Sequence, residues 1–187
     1  MSTIPDTQNP IVEVEDIATT DEQDGLKPIS QRALRSLAFH ILYSADRNNY
    51  DQPLSFILDD FREGFEVSFT DDSFAVTIVR GVLEHQQEID AKILPLLQNW
   101  TFERLGCCTV LILRVAFWEL LWTKTPPQIV INEAIELAKA FAENDAYRFI
   151  NGVLDSYCEK TGIRRDAPHE KSSSQDTEID YNDLLPE

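Results

Sequence analysis

Apolar residues recur at helical spacing along most of this chain, and no long stretch alternates in the manner of a strand. The clearest run is Pro126 to Lys160, PPQIVINEAIELAKAFAENDAYRFINGVLDSYCEK. Val130, Ala134, Leu137 and Phe141 line one face before a short acidic turn. Ala146, Phe149, Ile150, Val153, Leu154 and Tyr157 line another after it. The pattern predicts two helices, with Gly152 allowing a close approach in the second.

Upstream, Ser30 is placed to cap a first helix that reaches about Asp46, with Ile29 and Leu34 as a hydrophobic staple. Its core stripe is Leu34, Leu37, Ala38, Ile41, Leu42 and Ala45. Arg32, Arg35, Phe39, Tyr43 and Arg47 fall on the opposite side. That second stripe fits a further helical layer with solvated arginines. It equally fits a nucleic-acid surface, where Arg meets phosphate and aromatics stack on unpaired bases. Pro53 opens a second helix over about 53–63, with Leu54, Ile57, Leu58 and Phe61 inward. Asp71 and Asp72 suit the positive start of a long third helix that Pro95 ends or kinks. Gly81 inside it costs about 1 kcal/mol relative to Ala, which points to close helix packing. A turn around Trp100 and Arg104 follows. From Gly106 to Trp122 the chain is apolar nearly all round, which predicts the central helix. The fold class is all-α with about seven helices, and short connections favour antiparallel neighbours.

Charge changes the picture at the two ends. The 187 residues carry a formal net charge of −17. Residues 1–27 hold seven acids and one Lys, and residues 166–187 hold the same. Both stretches are poor in large apolar residues and are expected to be disordered tails, leaving 28–165 as the folded body. No apolar leader or Arg-rich transit segment opens the chain. The Leu105–Trp122 run carries Arg114 and Glu119 and reads as a core helix rather than a membrane span. Cys107, Cys108 and Cys158 form no pairing framework, so a reducing cytoplasm is expected.

Candidate chemistry is sparse. His40, His85 and His169 are far apart, and no Cys or His cluster has zinc spacing. The glycines are scattered singly, with no dinucleotide fingerprint, phosphate loop or nucleophile elbow. Glu133 and Glu136 are read as carboxylates favoured near a helix N-terminus rather than as a catalytic pair. No catalytic residue, metal or cofactor is expected, and the chain reads as a binding protein, not an enzyme.

The long string Val130, Ile131-Asn132-Glu133-Ala134, Glu136-Leu137-Ala138-Lys139, Phe141, Asp145, Phe149 and Asn151-Gly152-Val153-Leu154-Asp155 resembles the signature of the NusB family of transcription antitermination factors. Arg35, Ala38, Leu42, Tyr43, Arg80-Gly81-Val82, Asp90, Trp100, Arg104, Leu113-Arg114 and Glu119-Leu120 extend the resemblance over about 30–160. It implies a fold of two small helical bundles that share central helices. It implies binding of boxA-type single-stranded RNA in nascent ribosomal RNA transcripts, together with the ribosomal protein NusE. The RNA polymerase elongation complex would be engaged indirectly, and either a monomer or a dimer is compatible with the family. Carried over by position, the RNA-binding residues would be Arg32, Arg35, Tyr43, Arg148 and Phe149. The protein-partner residues would be Asp145 and Glu119. On this basis Arg35→Ala is expected to lower affinity without disturbing the fold.

The chain departs from the family at the start of the first helix, where members usually carry a dense basic run. Here Lys27, Arg32 and Arg35 are the only basic residues of the segment 27–35, and an acidic stretch precedes them. Phosphate neutralisation dominates nucleic-acid affinity, so RNA binding without a partner is expected to be weak. Removing residues 1–27 is expected to strengthen it at low salt. A protein-interaction module with little RNA affinity is the alternative. An accessory domain of an RNA methyltransferase is disfavoured, because no cofactor motif follows residue 165.

Overall fold

A computed structural model describes residues 29–64, 68–97 and 101–163. The expectations for 1–27 and 166–187, and for Trp100, lie outside these residues. Seven α-helices follow one another: α1 (Gln31–Arg47), α2 (Leu54–Gly64), α3 (Phe74–Glu84), α4 (Gln86–Ile93), α5 (Cys107–Trp122), α6 (Pro127–Phe141) and α7 (Ala146–Thr161). Short 3-10 turns at Leu94–Leu96 and Phe102–Arg104 lie between α4 and α5. No strand occurs among the described residues. The helices sort into two groups, α1–α3 and α4–α7, joined through α5, which touches α1, α3, α4, α6 and α7.

Local chemistry explains the boundaries. Ser30 caps α1, its Oγ accepting from the Ala33 amide at 3.2 Å. Pro127 occupies the first turn of α6, where its missing N–H is no loss. Gly162 ends α7 at φ 70°, a left-handed position that glycine adopts without penalty. α3 and α4 arise from a break in the expected long third helix. Its start is Ser73, whose Oγ accepts from the Val76 amide, rather than the Asp71-Asp72 pair. Its continuity ends at His85, which sits at φ −103°, ψ 14° with its ring stacked 4.4 Å from that of Trp122.

The core runs through all seven helices. Ile41, Leu42, Ile78, Ile89, Leu111, Ile112, Phe117, Ile131, Ile150 and Leu154 are essentially inaccessible. Gly81 packs as its position predicted: a Cβ there would overlap the indole of Trp118 on α5. At Gly106 a Cβ would meet only the carboxylate end of the exposed Glu143 side chain, which can move aside. Gly152 does not follow this logic. It is exposed on α7, and a Cβ would meet nothing within 4 Å, so close packing is not its reason.

α1 departs from the expected two-sided helix. It lies against α2 and α3 and also against α5 and α6. Both stripes are therefore partly covered. Arg35 and Phe39, expected on the outer side, are buried, while Arg32, Tyr43 and Arg47 keep contact with solvent.

Candidate nucleic-acid and partner surface

The residues expected to bind separate into an outer set and an inner set. Arg35 belongs to the inner set, at 5% exposure. Its Nε donates to Glu119 Oε1 at 2.8 Å and its Nη2 to Oε2 at 2.7 Å, a two-pronged fork across 84 residues of sequence. The Phe74 ring lies 5.2 Å from the guanidinium carbon. Glu119, expected to meet a protein partner, is 1% exposed. Burial pushes its carboxyl above the ordinary value, and the Arg35 hydrogen bonds pull against that shift. Neither side chain offers a surface. Together they tie α1 to α5, and the expectation that Arg35→Ala spares the fold is corrected accordingly.

Arg32 lies one turn earlier and belongs to the outer set. Its side chain is 48% exposed. Its Nε and Nη2 fork Glu133 of α6 at 3.2 and 2.9 Å. Glu133 sits well inside α6 rather than at its start, and its neighbour Glu136 pairs with Lys139 at 2.7 Å. The two glutamates thus serve different cations.

Farther along α1 an aromatic group takes over. Phe39 stacks on Phe141 of α6 at 5.1 Å and on Tyr43 at 6.2 Å. His40 meets Phe141 edge-on at 4.7 Å. The His40 Nδ1–H donates to the Ser36 carbonyl at 2.7 Å, and burial lowers the ring's pKa from its ordinary value. Tyr43, at 39% exposure, is the solvent-facing end of this stack. The pairing of Arg32 with Glu133 and of Phe39 with Phe141 advances in the same direction on both helices. At 1.5 Å rise per residue, the surface therefore extends about 10–12 Å from ion pair to stack.

The α6–α7 corner completes it. Asp145 stands at the N-terminal boundary of α7 at φ 67°, without a side-chain capping bond; it is exposed and pairs with Arg148 at 3.3 Å. Arg148 also donates from Nε to the Tyr147 hydroxyl at 3.1 Å, its guanidinium carbon 5.5 Å from that ring. Lys139 of α6 stands 5.9 Å from the same ring. Phe149 is half-buried against the core. The sequence reading missed Glu133 as a partner of Arg32, and Tyr147 as the ring between two cations. The Arg32–Glu133 and Lys139–Tyr147 contacts join separate helices, so no local pattern announces them.

A model of the NusB family matches residues 32–159. The chain belongs to the NusB family. The transcription antitermination protein NusB of Staphylococcus carnosus is 39% identical over 132 residues, covering 68% of this chain and 98% of that protein. The NusB of Geobacter sulfurreducens is 42% identical over 129 residues, covering 67% and 91%. Among solved structures, a complex of the antitermination factors NusB and NusE with double-stranded RNA superposes with a TM-score of 0.60. Its identity is 26%, with 69% of this chain and 96% of that chain covered. The NusB-family match takes in every candidate site residue named above.

Other chemistry is thin. Among the described residues no cluster of His, Cys, Asp or Glu is arranged to hold a metal ion. No described helix is long and apolar enough to cross a membrane. Burial, aided by a hydrogen bond to Asp46, pushes the Cys107 thiol up to about 12, which favours the thiol over the thiolate at neutral pH.

Proposed function

We propose that this NusB-family chain binds boxA-type single-stranded RNA of nascent ribosomal RNA transcripts together with the ribosomal protein NusE, so that the RNA polymerase elongation complex resists termination. The observation that carries this reading is the exposure of Arg32 and Tyr43 on α1, beside α6, and of Arg148 with Asp145 at the α6–α7 corner, where Phe149 is half-buried. Arg32 and Arg148 would meet phosphates, and Tyr43 and Phe149 would stack on bases. Asp145 would meet NusE. The unit responsible is 28–165. A solved NusB relative is held with NusE and RNA, which supports the same partners here.

A second reading, a protein-interaction module with little RNA affinity, is favoured by one observation. All three arginines that the resemblance assigns to RNA stand in ion pairs: Arg32 with Glu133, Arg35 with Glu119 and Arg148 with Asp145. Little uncompensated positive charge is left to release counterions from RNA. RNA alone should therefore bind weakly, and NusE should supply much of the affinity.

The test is titration of a labelled boxA-type RNA, with and without NusE, against a scrambled strand and a duplex of the same length. The expected result is weak binding alone and at least about tenfold tighter binding with NusE, with preference for the single boxA strand. If NusE binds and RNA adds nothing to the complex, the interaction-module reading replaces this one.

A further inference from the structure

We propose that Glu133 sets the affinity of this surface for RNA by occupying the edge of Arg32 that a phosphate would take. The inference rests on the RNA-binding reading above and names a residue that reading does not use.

A guanidinium presents its donors as a planar fork, and the Nε/Nη2 edge is one that carboxylates and phosphates grip with two oxygens. On Arg32 that edge faces Glu133, with Nε 3.2 Å from both carboxylate oxygens and Nη2 2.9 Å from one. The geometry is that of a phosphate complex with a carboxylate in the phosphate's place. The two partners differ in freedom. Arg32 is half exposed, whereas the Glu133 side chain is only 12% exposed and fixed on α6. An incoming phosphate therefore meets a cation already neutralised by an anchored anion. To take that edge it must displace Glu133, and it then releases fewer counterions than a lone arginine would allow.

The neighbouring pair makes Glu133 dispensable to the fold in a way Glu119 is not. The buried Arg35–Glu119 fork already ties the start of α1 to α5. Glu133 adds a contact to the half-exposed Arg32, and a pair open to water on one side contributes less than a fully enclosed one. Its negative charge also acts on Glu119, raising that carboxyl's pKa. A neutral, isosteric side chain at 133 keeps a hydrogen-bond acceptor for Arg32, removes the competing charge and relieves that repulsion.

The experiment is RNA titration over a range of salt with the full chain and NusE, using one labelled boxA-type oligonucleotide. Wild type is compared with Glu133→Gln, Arg32→Gln and the double variant, each checked for an unchanged melting transition, with Glu133→Ala as a second removal of the charge. Glu133→Gln is expected to tighten binding about three- to tenfold and to steepen the dependence of log affinity on log salt by about 0.7. The double variant is expected to lose both gains. A purely structural role for Glu133 would leave the salt slope unmoved. Unchanged or weaker binding by both Glu133 variants, with Arg32→Gln still weakening the wild type, overturns this inference and leaves the RNA surface standing. No effect of Arg32→Gln on the wild type removes α1 from the RNA surface itself.

Discussion

Arg32 and Arg35 lie three residues apart on one helix, and each is forked by a glutamate from another helix. Their surroundings differ almost completely. The Arg35 and Glu119 side chains are 6% and 1% exposed, whereas Arg32 is 48% exposed beside Glu133. One pair has lost its water and is enclosed by Phe74 and the packed helices. The other keeps water on one side. The same chemical motif is thus a tie within the fold at one position and an exchangeable contact at the next. What separates them is the helical step that turns residue 35 toward α5 and residue 32 toward the edge of α6.

Breaking the inner pair should have the largest effect. Arg35→Ala or Glu119→Ala leaves a buried charge without its partner and is expected to cost about 3–5 kcal/mol. Chemical denaturation would read this as a lower midpoint with a similar slope. A midpoint within error of wild type would mean that the pair opens to water. Glycine gives a second inward–outward contrast of intermediate size. Gly81→Ala should cost about 1–3 kcal/mol because its Cβ enters the Trp118 ring. Gly152→Ala, on the open face of α7, should instead stabilise by about 0.5–1 kcal/mol. Opposite signs in thermal melts would sharpen the distinction between covered and open faces. The outer ion pair should matter least to stability: Arg32→Ala is expected to shift it by less than about 1 kcal/mol. The same variant should weaken RNA binding in the presence of NusE, which Arg35→Lys, if folded, should do only through stability.

Much of the fold was legible because it rests on local signals. The Ser30 cap, Pro127 at the start of α6, Gly106 before the central helix and the 3.6-residue period each act within one or two turns. The break at His85 was not legible. Apolar residues keep their helical spacing through it, and the stacking on Trp122 comes from a helix more than 30 positions away. Arg35 was misplaced for a related reason. A helical wheel assigns one buried face, but α1 is covered by α3 on one flank and by α5 and α6 on another. The resemblance pointed to the α6–α7 corner, where Asp145 and Arg148 are exposed. It did not locate Glu133 beside Arg32, because 101 residues separate them.

The central claim is that Arg32, not Arg35, faces RNA. The most direct measurement is nitrogen-edited NMR of the arginine Nε–H groups during titration with boxA-type RNA in the presence of NusE. The Arg32 and Arg148 signals should shift as RNA is added, while the Arg35 signal stays in place and exchanges slowly with solvent. A shift of Arg35 with Arg32 unmoved would contradict the account.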